Sequence, residues 1–366
     1  MGVARACGAA QSVVCCLGMP VVSVIMVFHR DTRFLRRAIA SVLGQTLTDL
    51  ELVLVDNGTG LSADALGGLG GDARLRWVRL ESNFGIAAGH NAGVAAARAD
   101  FVALLDYDDL MLPHRLARQV ELLCARPGLG LVGAGAATID ENDRTVGREF
   151  CLIDEQAHRV YSAYHSGAIM PSFAGRTEVF RTFAYRPAFR WSSDFDFVSR
   201  AAERYAISAV PEVLLHYRRY PDQTTQCHRT EQIRDECWVR LLTARRRAGR
   251  DEGFDAAAVE LQQNCEVSAE PCALHAEFGA HFLAERFAAQ AAYEARRILA
   301  MSRAPGAVVA ALRLWRRGLA VAPGDAIFLS RIFFTGPVRA HGLRNAAALM
   351  PDYSGCRDVT RPSNRG

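Results

Sequence analysis

The chain contains no lysine: all 43 positions counted as Lys or Arg are arginine, against 39 Asp and Glu in 366 residues. The formal net charge is only +4 and no dense basic block occurs, so nothing points to nucleic acid as a partner. The uniform use of arginine reads as coding bias rather than as function. Paired cysteine motifs are missing too. Ten cysteines are scattered from Cys7 to Cys356 without a Cys-x-x-Cys, which argues against a zinc site or a dithiol redox centre. Disulfide frameworks belong mainly to small secreted chains, so reduced, cytosolic thiols are expected. No dinucleotide fingerprint follows the first strand candidate, which disfavours an oxidoreductase. No internal repeat stands out.

What is present is ordinary for a soluble globular protein, with 50% hydrophobic and 22% charged residues. The length suits one large domain and a smaller appendage. Ala6–Phe28 lacks any charge, but Gln11, Ser12, Gly18, Pro20 and Ser23 interrupt it. Its second half reads as a buried β-strand rather than a membrane span. Met19 is an alternative start that would leave residues 1–18 as an extension, and the N-terminal segment 1–19 is set apart from the domain that begins at residue 20.

Strand and helix patterns then alternate. Residues 21–28, 50–55, 75–80 and 101–105 predict strands, and helices are predicted after Asp31 or Thr32 as cap, over 89–98, and from Pro113 to about Leu123. This predicts a mostly parallel sheet flanked by helices over residues 20–228. The aromatic-rich segment 150–190 suits a substrate cover, and residues 229–366 predict a helical C-terminal region punctuated at Pro305-Gly306 and Pro323-Gly324.

Four constellations can carry chemistry. Asp106-Tyr107-Asp108-Asp109 follows a buried strand directly, at the strand end where open α/β sheets bind ligands. Such crowded carboxylates suit a hard divalent cation; a solvated acidic turn capping the next helix explains them equally well. Asp56-Asn57-Gly58 ends another strand and can bond a base or ribose, or simply turn the chain. Asn83 to Gly93 lets backbone approach a ligand closely, or packs a small-residue helix on the sheet. Asp194 in Trp191–Phe197 can serve as a general base or cap a helix; in an extended segment it would share a face with Asp196.

In this order the four resemble the family 2 glycosyltransferases of GT-A fold. The resemblance rests on Pro20–Met26, Ser41–Thr46, Leu52–Thr59, Asn83-x-Gly85 with Asn91-x-Gly93, Leu105–Asp109, Ser193–Arg200 and Val213–Arg218, and spans residues 20–226. It implies inverting transfer of a sugar from a nucleotide-diphosphate donor, most commonly a UDP-sugar, to an acceptor hydroxyl. Asp194 would be the general base. Asp108, with Asp106 beside it, would hold Mn²⁺ or Mg²⁺, and Asp109 would be only a cap. Val27, Phe28, His29 and Asp56 would hold base and ribose, while Asn83, Gly85, Asn91, Asp106 and Tyr107 would line the donor side. The acceptor would be a carbohydrate, lipid-linked or protein hydroxyl, as in cell-surface polysaccharide synthesis. The protein would be cytoplasmic, with the Arg-rich C-terminal helices offering peripheral membrane contact.

Two departures stand out. Val27-Phe28-His29-Arg30 replaces the common Pro-x-Tyr-Asn, and Ser193 replaces the usual Glu before the base. They keep open a nucleotide-sugar binder that has lost catalysis. A nucleotidyltransferase is the remaining alternative, although the phosphate loop it needs after strand one is not present.

Overall fold

β1 (Val22–Phe28) is buried at all seven positions. An apolar run without alternation is what a parallel strand covered on both faces requires. β2 (Leu50–Asn57) pairs parallel on one side of it and carries β3 (Leu75–Leu80), while β4 (Phe101–Leu104) pairs parallel on the other side. Strand order therefore reverses between β1 and β4, and such a switch opens a crevice at the strands' carboxyl ends.

The computed structural model describes residues 19–30, 33–149, 151–255, 275, 278–280, 282, 291, 293–295, 297–298 and 305–321. They fall in two compact units, 1–239 with 253–264, and 240–252 with 265–366. In the first unit the sheet continues past β4 through β8 (Ala174–Arg176), β6 (Leu129–Ile139), β9 (Ala206–Arg218) and β5 (Leu110–Met111), with β7 (Thr145–Glu149) on β6. β6 and β9 run parallel; β8, β5 and β7 join antiparallel through short ladders. The fold is mixed α/β with a mainly parallel sheet flanked by helices.

Side chains alternate across β1 into two cores. Val24, Met26 and Phe28 pack with α1 (Leu35–Leu43) and α3 (Arg115–Ala125) on one face. Ile25 and Val27 pack with α2 (Ile86–Ala96), α5 (Thr177–Phe183) and α6 (Ser193–Ala201) on the other. A Cβ on Gly89 would come within 2.4 Å of Val27 Cγ1, and one on Gly93 equally close to Ile25 Cγ2. The small residues of α2 thus let the helix press on the sheet.

The structure corrects several local expectations. Asp31 and Thr32 lie outside the described residues, and the residue before α1 is Phe34, without a side-chain cap. Pro113 precedes His114, the N-cap of α3, instead of standing in its first turn. Segment 150–190 does more than cover: besides α4 (Glu155–Tyr161) it sends β8 into the middle of the sheet. β6, Leu-Gly-Leu-Val-Gly-Ala-Gly-Ala-Ala-Thr-Ile, is a strand the pattern did not announce. It carries the spacing Gly128-x-Gly130-x-x-Gly133, but inside the strand's approach and body rather than in a loop after it. There Tyr205 and Ala168 occupy the space a Cβ on Gly130 or Gly133 would need.

Beyond the sheet, α7 (Thr224–Cys227) and α8 (Arg229–Arg247) are followed by α9 (Pro305–Val321). In the second unit, fully buried Glu294 meets Arg240 Nε at 2.7 Å and His275 Nδ1 at 2.5 Å. Burial alone would raise its pKa, but the Arg240 charge and the hydrogen bond with His275 overcome that and lower it. Pro323 and Gly324 lie outside the described residues, as do residues 1–18. Among the described residues, no helix is long and apolar enough to cross a membrane, and Cys151 and Cys227 are free thiols.

Candidate active site

The acidic turn leaves β4 at the switch point. Leu105 N–H still bonds Ile25 O at 3.1 Å, and Asp109 N–H then closes a turn on Asp106 O at 3.1 Å. Asp106, Asp108 and Asp109 consequently share a small, poorly hydrated volume. Burial raises the pKa of Asp106 to about 7, with repulsion from Asp108 and then Asp194 adding to it. Asp108 is raised by burial against the opposing hydrogen bond from Tyr220. Asp109 is raised well above the usual range by burial and its two acidic neighbours.

Cations are near, yet none forms an ion pair with these three among the described residues. Arg115 lies fully buried beneath the turn, its Nη2 donating to Leu104 O at 2.9 Å and Phe173 O at 3.3 Å. Burial lowers its pKa to about 9, against the pull of Asp109 and Asp106. Arg218 donates from Nε to Asp108 O at 2.8 Å, and its N–H to Asp109 Oδ1 at 2.7 Å. Asp109 is therefore no helix cap; it ties the turn to β9, and its Oδ2 is buried without a partner. A set of buried, mutually repelling carboxylate oxygens fits a hard divalent cation.

The donor-side candidates divide. His29 is exposed, edge-on to Tyr107 with ring centroids 5.8 Å apart, and its pKa is lowered by burial and by Arg30. Val27 and Phe28 turn their side chains into the two cores, Phe28 against Trp77. Asp56 is 1% exposed. Its Oδ1 accepts from Thr59 N–H at 2.8 Å and Thr59 Oγ1 at 2.7 Å, and its Oδ2 meets Arg79 at 3.2 Å. Gly58 has φ +90, and a Cβ there would lie 2.4 Å from Ser82 C; this close approach joins the β2 turn to the next loop. Across it Asn57 Nδ2 donates to Asn83 Oδ1 and Gly85 O, both at 3.1 Å, while Asn57 Oδ1 accepts from Phe84 N–H at 3.1 Å. Asn83 and Gly85 thus form a shaped loop at the start of α2, with Asn57 as its organiser. Asn91 is occupied elsewhere, its amide bonding both Tyr185 O and Tyr185 N–H at 2.8 Å.

Asp194 stands in the first turn of α6, where its Oδ1 accepts from Phe195 N–H at 2.7 Å. The segment is helical, so Asp194 and Asp196 do not share a face. Asp196 is fully buried on Arg200 at 2.7 Å, whereas Asp194 lies in electrostatic reach of Asp106. Burial raises the pKa of Asp194, Glu236 adds to this, and His165 opposes it. Tyr185, stacked on Phe197 and tilted against His90, is in electrostatic reach of both Asp194 and Asp106. Sequence reasoning named neither Tyr185, Glu236 nor Tyr220, since only long-range pairing brings them here, nor Arg115, which the start of α3 folds back beneath the turn.

Residues 23–184 match the sequence profile described as Glycosyl transferase family 2. An uncharacterized glycosyltransferase of Methanocaldococcus jannaschii is 28% identical over 206 residues, 54% of this chain and 71% of that protein. One from Nostoc is 39% identical over 128 residues, 34% of this chain and 39% of that one. The succinoglycan biosynthesis protein ExoO of Rhizobium meliloti is 35% identical over 103 residues, 28% of this chain and 30% of its own length. The chain therefore spans well under half of the latter two. Among solved structures, S. aureus TarS 1-349 in complex with UDP-GlcNAc superposes with TM-score 0.54 at 15% identity, over 83% of this chain and 92% of that one. That likeness is one of fold.

Proposed function

We propose that this chain, whose residues 23–184 match the Glycosyl transferase family 2 profile, moves a sugar, with inversion, from a nucleoside-diphosphate sugar to an acceptor hydroxyl. The observation that carries this reading is the acidic turn at the switch between β1 and β4, short of cationic partners and in electrostatic reach of Asp194. Asp194 takes the acceptor proton. Its raised pKa makes it a stronger base than a free carboxylate. Asp108, with Asp106 beside it, would hold Mn²⁺ or Mg²⁺, which supplies charge neutralisation for the departing diphosphate. His29 and the Asp56 turn hold base and ribose, and the Asn57-braced loop of Asn83 and Gly85 lines the donor.

UDP is the favoured base because the TarS fold neighbour is described with UDP-GlcNAc. The succinoglycan role of ExoO supports an acceptor in polysaccharide assembly, and we assign that assembly to the cytoplasmic face of the membrane. A thermal-shift panel of nucleotide sugars with and without Mn²⁺ tests the reading. One donor class should stabilise the protein in a metal-dependent way, and that donor should then release its nucleotide on turnover. No response to any nucleotide would overturn the proposal, and binding without release would mark a catalytically silent binder.

A further inference from the structure

Arg30 is the second residue past β1, and its guanidinium gathers three partners from two distant parts of the chain. Nε donates to Tyr107 Oη at 3.0 Å, and Nη2 to Tyr220 Oη at 3.2 Å and Asp222 O at 3.0 Å. Tyr220 Oη in turn donates to Asp108 Oδ2 at 2.8 Å. The bonds run in one direction, guanidinium to phenol to carboxylate, so each polarises the next. Arg30 makes no ion pair among the described residues; its link to Asp108 passes through the phenol.

The neighbouring cation does a different job. Arg218 holds the backbone of the turn through Asp108 O and Asp109 Oδ1, while its Nη2 pairs with Asp143 at 2.7 Å. Phe34 lies under both systems, 5.6 Å from the Tyr220 ring and 4.2 Å from the Arg218 guanidinium. With the backbone fixed by Arg218, the hydrogen bond from Tyr220 is what orients the Asp108 side chain. Serving a phenol on one edge and a phenol with a carbonyl on the other takes a planar fork, which lysine lacks.

We propose that Arg30 is a positioning residue that acts through Tyr220 to orient the Asp108 carboxylate for a divalent cation and the donor's diphosphate. This rests on the reading that Asp108 holds the cation. Partners that orient a metal-ligating carboxylate contribute about 10- to 100-fold to metal affinity. The test is calorimetric titration of Mn²⁺, with and without UDP, into the full chain and its variants. Asp108→Asn should lose Mn²⁺ uptake. Arg30→Met and Tyr220→Phe should each weaken it about 10-fold. The double variant should be no weaker than either single, because both remove one link. Arg30→Lys should behave like Arg30→Met. Tyr220→Phe removes a single oxygen and keeps the ring on Phe34, so it tests the link even where Arg30→Met fails to fold.

Unchanged affinity in Arg30→Met or Tyr220→Phe, additive losses in the double variant, or full rescue by Arg30→Lys would overturn the positioning role while leaving Asp108 as ligand. Wild-type Mn²⁺ uptake by Asp108→Asn would instead remove the metal reading, and this proposal with it.

Discussion

Two carboxylate sites stand at the carboxyl ends of the parallel strands β2 and β4, which flank β1, and the fold treats them oppositely. At the end of β2, Asp56 is surrounded by donors: Thr59 supplies two hydrogen bonds and Arg79 an ion pair. After β4, Asp106 and Asp108 meet other carboxylates, and the nearby arginines are turned onto carbonyls and phenols. The first arrangement completes itself from within the chain. The second stores repulsion that a cation relieves, which is how a sheet edge can hold one acidic group as scaffold and another as a binding site.

Removing charge from the second site should therefore have the largest effect. Asp108→Asn is expected to lower metal-stimulated transfer at least about 100-fold, while the metal-free melting temperature stays level or rises. A full-rate Asp108→Asn enzyme in a donor-release assay would dissolve the contrast. Asp194→Asn keeps the size of the side chain but removes the base, and kcat should fall about 100- to 10,000-fold with little change in donor KM. A drop in donor affinity instead would move Asp194 to the donor side.

The contrast also marks what could be read from the chain alone. The parallel half of the sheet was legible because β1, β2 and β4 are dense apolar runs bounded by turn residues. β6 was not, since Gly and Ala dominate it and leave its few β-branched residues without a pattern; Gly130 and Gly133 answer to Tyr205 and Ala168 packing against them. β8 is three residues long, too short for any period to show. The acidic positions 56, 106, 108 and 194 were visible as motifs. Whether each carboxylate is neutralised was not, because the deciding partners come from far along the chain: Arg79 for Asp56, Tyr220 for Asp108, and Glu236 for Asp194. Asn91 looked like a donor contact for the same reason, until Tyr185 claimed its amide.

A smaller effect appears in metal-free stability against pH. Asp106 has a folded pKa of about 7, above its unfolded value, so the fold favours its protonated form. The contribution is fully present below about pH 4 and is lost as pH rises through about 7. Asp106→Asn removes that loss. In EDTA, its melting temperature should gain steadily on wild type between about pH 5 and pH 8. Because Asp106 titrates together with Asp108, the slope belongs to the turn as a unit. A constant difference across that range would mean that the repulsion is relieved by other means.

Asp56→Asn should give the smallest change, and of the opposite sign. Its Oδ1 position still accepts from Thr59, so the turn survives, and what disappears is the pair with Arg79, a side chain 47% exposed and so largely screened by water. The expected cost is about 1 kcal/mol or less, read as a slight lowering of the metal-free melting temperature. Neutralising one strand-end carboxylate would then weaken the fold slightly while neutralising the other strengthens it. If Asp56→Asn stabilised the protein as Asp106→Asn is expected to, the two sites would be electrostatically alike, and the case for a cation at the acidic turn alone would fail.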